Sequence, residues 1–308
     1  MRSAASRSQA EPDPGAVEAQ LKFIVPTTVK PFSYEYEPPP GVPLRSAQFQ
    51  TQRILVRNAR LLANAPALDR QAFALRRHST RVGNFYDNAE VEAIYYPEVG
   101  QLLKDATGAR SILIFDHTVR GDDEGDRNGT TVKPPVVSVH NDYTPRSGRR
   151  RLYDLLPRAE AVRLLRHRVL EVNVWRPIRG PLRRMPLAVC DATSMRPGDF
   201  VACDLRYRDR VGEIHYGVYR NSHRWYYYPD MQRDEALLLK CFDTDPVRGA
   251  TGVHAAFEHP QTPADALLRE SIEVRAFVFF APPRRPARRS IPPGVLDHPH
   301  RRIPPRRA

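Results

Sequence analysis

The run VSVHNDYT, residues 137–144 of this 308-residue chain, gathers the side chains best suited to chemistry. Alternate side chains of a strand share a face, so Ser138, His140 and Asp142 point one way while Val137 and Val139 point the other. Two strand steps set the His140 and Asp142 Cα atoms about 6.6 Å apart, a spacing from which an imidazole and a carboxylate can converge on one ion. Two histidines and one carboxylate on one face of a metal leave three positions open. That is the facial triad of non-haem iron(II), whose open positions take a cosubstrate and dioxygen. A His-x-Asp pair by itself is equally a salt-bridged surface pair, so a third ligand from a later strand is needed. The segment TGVHAAFEHP, residues 251–260, supplies His254 and His259. Pro260 directly after His259 reads as the exit from a strand, which favours His254.

Beyond these histidines, RESIEVRAFVFF opens with Arg269 and alternates like a strand. Arg269 and Ser271 share a face, and a planar guanidinium matches a carboxylate bidentately. Arg275 repeats the arginine on the same strand and is the rival for that role. Tyr143 adjoins the metal strand and offers a pocket hydroxyl. Trp175 and Arg176 close a strand and could line a substrate mouth, with Arg176 meeting an acidic group. His117, His215 and His223 also lie among strands, where a lone histidine is usually structural. No Gly-x-Gly-x-x-Gly opens a helix after a strand, and no Gly-x-Ser-x-Gly elbow appears, so dinucleotide and serine-hydrolase chemistry lack support.

The elements that must hold these residues are mostly strands. Segments 111–119, 135–140, 169–175, 187–192, 199–207, 214–220, 225–229, 237–242 and 271–280 are rich in β-branched and aromatic residues, with turn residues between most of them. An earlier strand is expected from Ile54. Short helices are expected over Asp69–Arg77, after a cap at Asp87 or Asn88, and from Val99 to a stop at Gly108. One helical insert, 147–168, is broken at Pro157. The Gly-rich acidic stretch 121–134 departs from a calcium loop at Arg127 and Lys133 and reads as a flexible surface loop. Many short strands after a helical section indicate a mainly β (α+β) sandwich or barrel with helices packed outside.

The net charge of +13 raises the question of nucleic acid, but much of the charge is local. Residues 282–308 hold eight Arg, eight Pro and little apolar content, and are expected to form a disordered tail, as are residues 1–18. The folded domain is then 19–281, with ordered chain expected near Leu21. No nucleic-acid partner is expected. No apolar run is long enough for a membrane helix, and the three separated cysteines fit a reduced, cytoplasmic protein.

Five segments together carry a specific resemblance: VHNDYT at 139–144, NVWRP at 173–177, HRWYYYPDM at 223–231, LLLKCFD at 237–243 and HAAFEHPQTPADALLRESIEVR at 254–275. The chain resembles the fungal and bacterial hydroxylase/desaturase family that includes gibberellin desaturase-like enzymes and a cephamycin 7α-methoxylation accessory protein. The resemblance covers roughly residues 20–280. It implies a double-stranded β-helix (jelly-roll or cupin-like), iron(II), 2-oxoglutarate as cosubstrate and dioxygen. The implied reaction is hydroxylation or desaturation of a small molecule, often in secondary metabolism. The metal ligands fall on His140, Asp142 and His254, and the cosubstrate carboxylate on Arg269 with Ser271. An accessory protein in the family makes a non-catalytic partner of a biosynthetic enzyme the second expectation. A homodimer is compatible with either.

Overall fold

Strand-forming sequence dominates the chain, and in the computed structural model, which describes residues 15–127 and 129–280, it builds two facing sheets. In chain order the strands are β1 Val17–Ile24, β2 Phe32–Tyr34, β3 Phe49–Asn58, β4 Phe73–Arg77, β5 Ser111–Gly121, β6 Gly125–Arg127, β7 Thr130–Lys133 and β8 His140–Asn141. They continue as β9 Val169–Pro177, β10 Leu187–Cys190, β11 Phe200–Arg206, β12 Val211–Gly217, β13 Trp225–Tyr227, β14 Glu235–Asp243, β15 His254–Ala256 and β16 Glu270–Phe279. The major sheet runs β1-β3-β13-β10-β15-β8-β12-β11-β2 and the minor sheet β4-β14-β9-β16-β5-β7-β6. The two curl over each other as a double-stranded β-helix, with helices outside.

Alternation explains the layering. On β9 and β16, Val172, Val174, Ile272 and Val274 point outward and pack under the helical segment that carries Val91, Tyr95, Val99 and Leu103. That segment is α1, Asn88–Glu90, which passes through a π-helical turn, Val91–Tyr95, into α2, Tyr96–Thr107. Asp87 caps its start by accepting from the Ala89 and Glu90 amides, and Gly108 ends it in the left-handed region at φ 70°. Between the sheets, Phe73, Trp175, Leu187, Val189, Tyr226, Leu237 and Leu239 form a separate core. The remaining helices, α3 Pro145–Leu155 and α4 Arg158–Leu164, close one end over Val169, Phe242, Phe277 and Phe279. Pro157 sits one residue ahead of α4, where its missing amide hydrogen costs nothing.

Three expectations are corrected. Residues expected as a helix over Asp69–Arg77 form a turn followed by β4, because Phe73 faces the inter-sheet core and Ala74 the helical layer. Burial on both faces demands a strand, and Ala72 at φ 67° interrupts any helix there. Stretch 135–140 is largely extended loop: only His140 enters a strand, since Pro134 and Pro135 offer no amide donors. Stretch 121–134 contains the β6–β7 hairpin, with Arg127 tied to Asp123 and Glu270 at 2.7 Å each. Strand β1 opens at Val17, ahead of Leu21 and inside the expected tail 1–18; residues 1–14, residue 281 and the expected tail 282–308 lie outside the described residues. No helix among the described residues is long and apolar enough to cross a membrane.

Candidate metal centre

Two of the proposed ligands are fixed by one step of a ladder. His140 on β8 pairs directly with His254 on β15, and their rings lie 4.5 Å apart between centroids. Asp142 follows β8 by one residue, on the short link into α3. Thr144 caps that helix in a reciprocal box with Ser147, so the link is pinned at both ends. The ligand atoms of His140, Asp142 and His254 all lie within 4.8 Å of one another. The structure therefore brings together the three residues that the sequence singles out.

The neighbours make this donor set fit a divalent metal. His140 Nδ1 lies 2.8 Å from the Ser138 carbonyl, which can only accept, so Nδ1 donates there and Nε2 is the nitrogen turned to the site. Nε2 faces Asp142 Oδ1 at 3.5 Å. The other oxygen of Asp142 accepts from Asn173 Nδ2 at 2.8 Å and Arg275 Nε at 3.1 Å, which leaves Oδ1 for a metal. Burial pushes the Asp142 carboxyl up, but Arg275, His140 and His254 outweigh it and hold it well below the usual carboxylate range. Burial, with the adjoining His140, lowers His254 to about 3 and keeps it neutral. A neutral imidazole and an ionised carboxylate are the states that ligate.

Arg275 belongs to this centre in a supporting role. It spends its donors on Asp142, on Asp116 at 2.9 Å, on Glu273 at 2.7 Å and on Thr118 at 3.1 Å. Asn173 reaches Asp142 because β9 pairs with β16 in a register that sets Asn173 opposite Arg275. Asn141, between two ligands, is fully buried and donates to the carbonyls of Tyr143 (3.0 Å) and Cys241 (2.9 Å). The Cys241 carbonyl is available because β14 bulges there, between Lys240 and Phe242. Sequence reasoning missed Asn141 and Asn173 entirely; the asparagine within HND and the one within NVW were the only traces. Orientation by such neighbours typically matters about 10–100-fold. Asn173→Ala should lower iron(II) affinity by that order, read by anaerobic metal titration, while the far-UV spectrum stays unchanged; an unaltered affinity would remove Asn173 from the centre.

Other candidates separate clearly. Arg269 is 1% exposed, donates from Nε to Ser271 Oγ at 3.2 Å and from Nη1 to the Met185 carbonyl at 2.8 Å, and lies over the Trp175 ring. No carboxylate among the described residues pairs with it. Burial, reinforced by Arg120, lowers its pKa to about 10. Trp175 sits in the inter-sheet core beneath it. Arg176 projects to the opposite face, where it bonds the ring and carbonyl of His78 and covers Tyr95. His259 is held by the Tyr227 hydroxyl at 3.1 Å, away from the triad. His117 bonds Tyr96 and Asn88, and His223 bonds Asp199.

A cleft of about 820 Å³ opens on His140 and Asp142, with Tyr143, Arg120 and Arg275 in its wall. Behind that wall, on the same face of β9 as Asn173, Glu171 is fully buried and neither of its oxygens has a hydrogen-bond partner among the described residues. Burial and then the Asp142 charge raise its pKa well above normal. An acid with a raised folded pKa binds its proton more tightly than the unfolded chain does. Its contribution therefore falls as pH rises from the unfolded value, about 4.3, toward the folded one. Glu171→Gln should melt higher than the parent at pH 8, with the gap closing by pH 5; parallel melting curves at both pH values would contradict a buried, protonated Glu171.

Comparison with known proteins agrees with this geometry. The family model for an oxidoreductase/YMDC permease-like domain matches residues 21–279. Hydroxylase/desaturase efuI of Hormonema carpetanum is 34% identical over 256 residues, 76% of this chain and 85% of that protein. Fe(II)/2-oxoglutarate-dependent dioxygenase nvfI of Aspergillus novofumigatus is 30% identical over 271 residues, covering 85% and 96%. Aspirochlorine biosynthesis protein N of Aspergillus oryzae is 43% identical over 151 residues, which span 48% of this chain and 63% of that protein. The solved iron and alpha-ketoglutarate-dependent endoperoxidase NvfI superposes with a TM-score of 0.79 at 26% identity, over 86% of this chain and 98% of that one.

Proposed function

The chain belongs to the fungal Fe(II)/2-oxoglutarate-dependent hydroxylase/desaturase family, and from that membership we propose that it oxidises a small molecule of secondary metabolism with Arg269 and Ser271 holding the cosubstrate. It is an oxidoreductase with a complete facial triad. The observation that carries the cosubstrate reading is the enclosed Arg269 guanidinium, which has no carboxylate partner among the described residues. An unpaired buried charge is costly, and the distal carboxylate of 2-oxoglutarate would neutralise it. Arg275 is a poorer anchor, because Asp142, Asp116 and Glu273 already neutralise it.

Bound iron(II) would supply dioxygen activation coupled to decarboxylation of 2-oxoglutarate. The chain's own groups do the rest. His140, Asp142 and His254 would hold the ion, and the cleft opens on His140 and Asp142. Asn173 and Arg275 keep Asp142 ionised and aimed. Trp175 and the inter-sheet core keep water from Arg269. The cleft walls would orient a substrate carbon toward the metal ligands, and hydroxylation and desaturation both begin with hydrogen removal from that carbon. The accessory reading is disfavoured because every ligand of the triad is present and oriented.

Anaerobic addition of iron(II) and then 2-oxoglutarate tests the reading. A weak visible charge-transfer band should appear in the parent protein and be missing in Asp142→Ala. Folded parent protein that binds iron(II) yet gives no band with 2-oxoglutarate would count decisively against this function.

A further inference from the structure

A second arginine near the triad also lacks a counter-ion, and this one faces the cleft. Arg120 lies on β5 opposite Ser271 and lines the cleft together with His140 and Asp142. Its Nη1 donates to the Pro134 carbonyl at 2.9 Å, and no carboxylate among the described residues forms an ion pair with it. Several other cations lining the cleft are already engaged. Lys30 is paired with both Asp204 and Glu213, Arg275 with three carboxylates, and Arg210 lies over the Tyr207 ring. Glu273, Asp142 and Glu35 act on Arg120 only from a distance, and Arg275 opposes them.

Resting on the family chemistry above, we propose that Arg120 receives a carboxylate of the organic substrate at the base of the cleft, beside the metal ligands. Arg269 is enclosed away from the cleft wall, so the two unpaired guanidiniums serve two different molecules. Burial disfavours the bare Arg120 charge, and a guanidinium fork in such surroundings gains most from a carboxylate it can grip bidentately. Arg45 and Arg150 line the same cleft and add to the positive field that draws an anion inward. A carboxylate held on Arg120 fixes one end of the substrate within reach of the triad, so Arg120 determines which carbon is presented.

The full-length protein, loaded anaerobically with iron(II) and 2-oxoglutarate, is titrated with para-fluorobenzoate, and binding is read from the fluorine NMR line width. Para-fluorobenzamide serves as the neutral control. The parent should bind the carboxylate better than the amide, and Arg120→Gln should weaken the carboxylate about ten- to hundredfold without changing the amide. The charge-transfer band with 2-oxoglutarate should persist in Arg120→Gln. Equal binding of carboxylate and amide by the parent, or undiminished carboxylate binding in Arg120→Gln, overturns the proposal. So does loss of the 2-oxoglutarate band in Arg120→Gln, which would assign Arg120 to the cosubstrate. Should Arg120→Gln fail to fold, Arg120→Lys replaces it; with the charge kept and the fork lost, carboxylate binding should fall several-fold, and parental binding rejects the idea. A parent without any band counts against the iron and 2-oxoglutarate reading instead, and the carboxylate-over-amide preference is then measured on the metal-free protein.

Discussion

Replacing His140, Asp142 or His254 with Ala abolishes 2-oxoglutarate-dependent turnover while the protein stays folded. Each variant loses one of three metal ligands, so its iron(II) affinity should fall further than the roughly 10–100-fold expected when an orienting neighbour is lost. The fold should survive for reasons specific to each site. Asp142→Ala leaves Arg275 paired with Asp116 and Glu273, so no buried cation is stranded. His140 and His254 are paired in a ladder whose backbone bonds do not depend on the rings. Iron titration and succinate release, measured beside a thermal melt, give the answer. His259→Ala is the control: its ring serves Tyr227, and its turnover should match the parent. Full activity in His254→Ala with loss in His259→Ala would mean the wrong histidine has been assigned.

The second large effect is expected at Arg269. Removing one partner of a buried, hydrogen-bonded charge pair costs about 3–5 kcal/mol, and about 1.4 kcal/mol is a factor of ten. Arg269→Ala should therefore weaken 2-oxoglutarate by at least about two orders of magnitude. Iron(II) affinity should change little, since Arg269 contacts Ser271 and Met185 and no metal ligand. Arg269→Lys should restore only part of the loss, because an ammonium is a point charge without the planar fork. Arg275→Ala behaves differently: it strips Asp142 of its main neutralising charge, so iron binding weakens first. Separate anaerobic titrations of metal and cosubstrate on the two variants distinguish these outcomes. Normal 2-oxoglutarate binding in Arg269→Ala would remove it as the anchor.

The ligands were legible in the sequence because their chemistry and their spacing coincide. His140 and Asp142 share the period of a strand, and His254 heads another strand before the arginine-bearing one. What supports them was not legible, because support depends on register between distant segments. Asn173 and Arg275 lie 102 positions apart in the chain and meet only because β9 and β16 pair where they do. Glu171 and Asn173 alternate with Val172 and Val174 on β9, but Trp175 and Arg176 at its end do not continue that pattern. Trp175 and Arg176 were both read as candidates for the substrate mouth, although one packs between the sheets and the other covers Tyr95 on the opposite face. The strand at Phe73 was hidden because both of its faces are covered. Arg120 carries no local signal at all. Its meaning lies in its place on the cleft wall without a carboxylate in ion-pair contact among the described residues.

The bulge in β14 has a consequence for how the centre breathes. β8 is two residues long and has little ladder of its own, yet its Asn141 is anchored to the Cys241 carbonyl on the opposite sheet. Opening of a region is governed by the least stable contacts that hold it. In amide-exchange terms, the amides around His140 should then open together with β14 and the inter-sheet core, as one cooperative unit spanning both sheets.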